Sequence, residues 1–379
     1  MSFPLTLRPA IIPSSANTRI VLLCGIALGL ALNFVMAINN DTGWGEDFNQ
    51  FYSASRLAGT GHMYDWDALR RIESENGKEV PTGRLPVVMF GAKVIGWLPY
   101  PVARIVWLIA SIAALVLCVL AWPGINRPMM ALALAWSMPA GLLLVLGQDT
   151  PFWLCFVAAA LLLMQKGHPR IAGVVLALCI CKFHLTVGIA VLLVAQKRWS
   201  TLLSAAAAGA ALLAACFLIE GPQWPLQYLE AYRQPSFSPG ASRMPNLFGI
   251  GYWFPWPAAV EVVLAIAVIG LLWMVCRRTP ELGMAGAAAT AAGLLLAHHC
   301  YANDCALSIP LVVFTMQRGN TPWWLKASAV LVLTPAATFL LTSSKPFLGQ
   351  LLVAGFAIAA FAVEARFPAT PLLAARPQR

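Results

Sequence analysis

The sequence predicts an all-α polytopic membrane protein, and three observations predict it. Hydrophobic residues make up 60% of the 379 and charged residues 11%, giving a mean hydropathy of +0.74. Apolar runs of about 15 to 20 residues recur from end to end, the length a helix needs to cross a bilayer. The runs are continuous rather than alternating, which argues against strands, since only helices or closed barrels satisfy every backbone group in lipid. A single integral membrane domain over 1–379 follows, because no soluble domain of ordinary size fits between the runs.

The first helix covers 20–37, behind a short tail carrying Arg8 and Arg19. Its Val35, Met36, Ala37 ending resembles a signal-peptidase site, but the run is long for a signal peptide, so an uncleaved anchor is expected. Residues 39–85 form a first extracytoplasmic loop. Further runs lie at 86–98, 100–122, 128–146, 150–165, 170–183, 185–196 and 200–219. After a second extracytoplasmic loop at 220–255 they resume at 256–276, 282–299, 304–316, 322–342 and 347–364. The run at 86–98 is too short to cross and reads as re-entrant or interfacial.

Placing the N-terminus in the cytoplasm puts Arg127, Lys166 with Arg170, Lys197 with Arg198, Arg277 with Arg278, Arg318, Arg366, Arg376 and Arg379 inside. Nearly every tight loop on that face is then basic, as the positive-inside rule requires. About 12 crossings with both ends inside are expected. The formal charge of +10 is explained by cationic loops facing anionic inner-leaflet lipid. The basic residues are scattered over short loops, so no nucleic-acid partner is expected.

Eight of the fifteen carboxylates fall in 41–79: Asp41, Glu46, Asp47, Asp65, Asp67, Glu73, Glu75 and Glu79. Chemistry that needs a carboxylate base has few other places to go, which makes this loop the first candidate for an active site. Phe48, Phe51, Tyr52, Ser55 and Leu57 recur at helical spacing and stop at Gly59 and Gly61, predicting an interfacial amphipathic helix over 46–61. Asp47 sits in its first turn, where a helix cap competes with a functional role. Asp65, Trp66 and Asp67 form a DxD, but capping of a short helix over 68–76 is the simpler account, with Arg70, Arg71, Glu73 and Glu75 as its solvated face.

Three further polar clusters punctuate the same ends of the spans: Gly147, Gln148, Asp149 and Pro151; Lys182 with His184; and His298, His299, Asn303 and Asp304. Lys182 lies between two apolar half-runs, where an ionisable residue is costly unless it snorkels, pairs or meets a ligand. The cysteines lie mostly inside apolar runs, where cysteine packs as a small hydrophobe; Cys300 and Cys305, near an outer boundary, leave a disulfide open as the minor alternative. Adjacent histidines and that cysteine spacing match no common zinc site, so no metal and no cofactor are expected.

The pattern resembles the GT-C fold glycosyltransferases of family 87. An acidic residue before an aromatic helix with a glycine-and-tyrosine exit corresponds to Asp47, Phe51, Tyr52, Ala54, Gly59, Gly61, Tyr64 and Asp65. Leu85, Pro86, Leu98, Pro99, Ala103 and Trp107 match the passage that follows. Gly147 with Gln148, then Ala172, Gly173 and Lys182, then His298 or His299 through Asp304, match later elements. Phe183 and His184 replace the Pro-Gln pair common after the lysine, and Asp149 replaces a less acidic residue.

The resemblance implies a GT-C-like bundle that moves a mannose, another hexose or a pentose from a polyprenyl-phosphate donor to an acceptor hydroxyl. The acceptor is a glycolipid or glycan, the transfer inverts the anomeric carbon, and the site faces outward from the cell's inner (plasma) membrane. Asp47 is the expected general base. Lys182, then Arg243, Arg56 and His299, are expected at the donor phosphate, where positive charge stabilises the leaving group. Tyr52, Gln148, His184, His298 and Asp304 are expected at the sugar or acceptor. Trp224, Tyr228, Tyr232, Arg233, Phe237 and Arg243 give the 220–250 stretch the content of a gripping flap. A secondary transporter or lipid flippase is the alternative, since it too would place Lys182 and His184 in the membrane.

Overall fold

The computed structural model describes residues 16–39, 45–77, 79–233 and 240–367. Expectations resting on Arg8, Asp41, Phe237, Arg376 and Arg379 lie outside the described residues. Every regular element described is helical. The chain begins with α1 (Ala16–Asn39), α2 (Glu46–Leu57) and α3 (Trp66–Glu73), then α4 (Pro86–Gly91) and α5 (Lys93–Gly96), which divide the short 86–98 run. Next come α6 (Tyr100–Ala121), α7 (Arg127–Trp136), α8 (Met138–Leu146), α9 (Thr150–Gln165) and α10 (Pro169–Ala177). A 3-10 stretch at Leu178–Leu185 leads to α11 (Val187–Ala195), α12 (Trp199–Glu220) and α13 (Trp224–Tyr232). The remainder is α14 (Leu247–Gly251), α15 (Pro257–Arg278), α16 (Leu282–Leu296), a 3-10 stretch at Ala302–Ser308, α17 (Ile309–Gln317), α18 (Trp323–Leu333), α19 (Pro335–Thr342) and α20 (Pro346–Arg366).

By length and composition α6, α12, α15 and α20 can each cross a membrane. Six segments qualify if α7 with α8 and α18 with α19 each count as one bent span. The bends are 67° and 64°, and both have a local cause. Ser137 caps α8 by accepting from the Ala140 N–H at 3.2 Å, two residues before Pro139. Thr334 is extended immediately before Pro335, and a residue preceding proline is pushed out of helical geometry.

The core is organised around α16, whose residues Leu282 to Leu295 are all buried. Its composition, mostly Ala and Gly, lets neighbouring backbones approach closely. A Cβ on Gly188 of α11 would strike the Ala289 carbonyl, and one on Gly293 would strike the Leu185 carbonyl. This contact sets the 3-10 stretch after α10 beside the one after α16.

Three expectations are corrected, and the cysteine pair left open above is resolved. The segment 46–61 is not an interfacial helix with one wet face: α2 buries Phe48 through Ser55 against α3, α4 and α5. Glu73 is not on a solvated face; it is buried, accepting from Ser53 Oγ at 2.6 Å and from the Val80 N–H at 2.7 Å. Cys300 and Cys305 are buried free thiols, packed in the core rather than bridged. The runs 128–146 and 322–342 are each broken in two. Asp65 is the N-cap of α3, its Oδ1 accepting from the N–H groups of Asp67 and Ala68 at 3.0 and 3.2 Å.

Candidate active site

The site grows from a single tight turn. Gly147 ends α8 in the left-handed conformation, φ 76°, and a Cβ there would press into Phe48 at 2.6 Å. Glycine is therefore required both by φ and by the approach of α2. Gly45 holds the other side of that approach, donating its N–H to the Val145 carbonyl at 2.9 Å. Trp107 of α6 clamps both, bonding the Gly147 carbonyl through Nε1 at 2.8 Å and stacking on Phe51 with ring centroids 5.2 Å apart. The consequence is that Asp47, in the first turn of α2, meets the residue after Gly147. Gln148 Nε2 donates to Asp47 Oδ2 at 2.6 Å.

Beyond Gln148 lies a buried row of alternating charges. Arg84 holds Asp149 with two bonds, Nε to Oδ2 at 2.7 Å and Nη2 to Oδ1 at 3.0 Å. Lys182 Nζ lies 3.6 Å from Asp149 Oδ1 and 2.7 Å from Asp304 Oδ1. Asp304 is completed by the Thr150 hydroxyl at 2.9 Å and the Tyr301 N–H at 3.0 Å. Lys182 reaches this position because the backbone breaks at it, φ −136° and ψ 62°, inside the 3-10 stretch that α11 and α16 hold in place. A buried ion pair is tolerable only when charges and lone pairs are matched this closely.

The cluster contains three carboxylates and two cations, and their surroundings separate them. Asp149 and Asp304 are each bonded to a cation. Asp47 is bonded by the neutral Gln148 amide. Burial pushes the Asp47 pKa up, opposed in part by the Gln148 hydrogen bond and the fields of Lys182 and Arg84. Burial works against the Arg84 charge, but Asp149 more than offsets it and holds the guanidinium above its ordinary range. The Gln148 Oε1 and Asn303 Nδ2 atoms are buried with no hydrogen-bond partner among the described residues.

Of the expected site residues, Asp47, Gln148, Lys182 and Asp304 converge here. His299 and His184 face one another, ring centroids 6.5 Å apart, and His299 also packs on Tyr301 and Tyr232. His298 points elsewhere: it is exposed, lies 3.3 Å from Glu261, and packs on Phe248. The Tyr52 hydroxyl is committed to the Leu98 carbonyl at 2.9 Å. Arg56 is exposed at the far end of α2, about 13 Å along the axis from Asp47. Arg243 is exposed at the end of a 3-10 turn. Among the described residues, neither pairs with a carboxylate of the cluster.

Arg84 is the residue sequence reasoning missed. Its partner is 65 residues away, so no local spacing announces it. The available signal was an arginine between Gly83 and Leu85, a lone cation following an acidic loop.

No curated protein and no solved structure matches the chain. The model of glycosyltransferase family 87 matches residues 81–300, a stretch that holds Arg84, Gln148, Asp149, Lys182 and His299, stops just before Asp304 and does not include Asp47. With more than half of the sequence matched and this cluster assembled among apolar helices, the chain belongs to glycosyltransferase family 87.

Proposed function

We propose that the protein transfers a sugar, mannose or another hexose or pentose, from a polyprenyl-phosphate donor to an acceptor hydroxyl, with Asp47 as general base. One observation carries this reading: among the described residues no bonded cation neutralises Asp47, unlike the other two carboxylates of the cluster, and burial raises its basicity. The acceptor oxygen attacks the anomeric carbon, its proton passes to Asp47, and the bond from that carbon to the phosphate oxygen breaks on the opposite face. The product is inverted, and polyprenyl phosphate departs. No proton is required from the enzyme at the leaving group; cationic charge suffices.

The departing phosphate is assigned to the Arg84 and Lys182 side of the row. Arg84 is the outermost cation, its side chain 13% exposed against 3% for Lys182. Lys182 adds its charge from behind, shared with Asp149 and Asp304. An apolar groove of about 520 Å³ between α1, α6, α7 and α8 supports a lipid donor. It shares Leu108, Leu144 and Val145 with a 210 Å³ pocket that includes Arg104, Gly45 and Gly147, next to the Asp47 and Gln148 turn. An isoprenoid chain in this groove keeps its phosphate close to the base.

The family assignment favours transfer over a transporter or flippase. The basic loops support a bundle of about 12 crossings in the inner membrane with the cluster on the extracytoplasmic face. Asp47→Asn is expected to lower turnover by a factor of about 10² to 10⁴ while the purified protein keeps its thermal unfolding midpoint. Full turnover in that variant, measured with radiolabelled polyprenyl-phosphate sugars, removes Asp47 as the base.

A further inference from the structure

A second cavity, of about 400 Å³, opens between the N-terminal end of α3 and the face of α13. Its lining includes Tyr64, Trp66, Asp65, Thr82, Gln227 and Glu230. Two of the lining residues carry a buried polar atom that has no partner among the described residues: Thr82 Oγ1, on a fully buried residue, and Gln227 Oε1. An unpaired buried hydroxyl costs free energy that a bound hydroxyl would recover. The volume lies at the small end of the range for ligand pockets, about 300 to 1,000 Å³.

The chemistry of the lining is selective. Aromatic rings beside hydroxyl and amide groups suit a ligand with one apolar face and a rim of hydroxyls, which describes a sugar ring. Asp65 and Glu230 make the rim acidic, which disfavours a phosphate or a uronic acid.

The cavity is also tied to the charged cluster. Thr82 precedes Arg84 by two residues, at most about 7 Å of chain. The Tyr64 hydroxyl donates to the Arg84 carbonyl at 2.7 Å. From Tyr64 an aromatic line runs through Tyr228 at 5.8 Å, Tyr232 at a further 5.7 Å and His299 at a further 6.2 Å. A ligand seated here lies against the backbone segment that carries Arg84, and three ring contacts link it to His299.

We propose that this cleft binds a neutral, non-reacting sugar ring of the acceptor, so that the acceptor is an oligosaccharide, free or as a glycolipid headgroup. The proposal rests on the transferase reading for the word acceptor, but not for the binding itself. Saturation-transfer NMR on the detergent-solubilised full chain tests it with neutral manno-, gluco-, galacto- and arabino-trisaccharides, each free and as its octyl glycoside.

At least one trisaccharide is expected to bind, and Trp66→Ala to weaken it by about tenfold. Thr82→Val is expected to weaken it several-fold while Thr82→Ser restores it, which separates a lost hydroxyl contact from a lost fold. Binding of the free form supports a glycan acceptor, and binding of the octyl form alone supports a glycolipid headgroup. Absence of binding by the unsubstituted protein, or equal binding by the Trp66→Ala and Thr82→Val variants, overturns the proposal. Asp47→Asn is expected to bind the same trisaccharide normally. Retained transfer in that variant defeats the catalytic reading and leaves the cleft standing, whereas normal binding in the cleft variants defeats the cleft alone.

Discussion

The basicity of Asp47 is set by a contest between burial, which raises its pKa, and the 2.6 Å bond from Gln148, which lowers it. The base acts ionised, so activity falls as pH drops through that raised pKa. Gln148→Leu removes the opposing bond, so the acid limb of the rate profile should move to higher pH, by about one to two units for a bond to a charged group. An unmoved limb in kcat/KM against pH would show that Gln148 does not tune the base. Glu73 offers a separate test through stability. Burial raises its pKa to about 7 from an ordinary 4.5, against the Ser53 and Val80 bonds. A raised folded pKa contributes stability that is complete below about 4.5 and is lost as pH rises through about 7. Glu73→Gln should therefore flatten the difference in unfolding midpoint between pH 5 and pH 7.5, by roughly 1 to 3 kcal/mol in stability. At this scale the sequence revealed Asp47 and Lys182, because a carboxylate before an aromatic helix and a lysine between apolar half-runs are anomalies of local pattern. Arg84 and the burial of Glu73 were hidden because each depends on a partner that only folding supplies.

The helices were legible where a long apolar run crosses undisturbed: 100–122 and 200–219 correspond to α6 and α12 almost residue for residue. The breaks at Ser137 and Thr334 were written in the sequence as Pro139 and Pro335, but uninterrupted hydropathy masked them. The 3-10 stretches at 178–185 and 302–308 were less visible still, since apolar composition does not distinguish 3-10 from α geometry. Their alignment depends on the seam between α11 and α16. Gly188→Val should drive its new Cβ into the Ala289 carbonyl and against the Gly293 backbone nitrogen, at a cost of about 1 to 3 kcal/mol. Thermal unfolding in detergent reads that loss directly. Turnover should fall further than stability alone explains, because the same seam aligns Lys182 with Asp304.

Across the whole molecule, α16 separates two ionic assemblies, one buried and one partly exposed. One is the row ending at Asp304, just beyond its C-terminal end. The other, at its N-terminal end, joins Arg318 to Glu281 and Glu364, with the Thr279 hydroxyl donating to Glu364 at 2.8 Å. The rod between them has 15 residues, about 22 Å, whereas hydrocarbon in a typical bilayer is about 30 Å thick. Because α16 is enclosed by other helices, neighbouring protein and not lipid covers this shortfall, and the charges at its two ends are held by their partners instead of by headgroups.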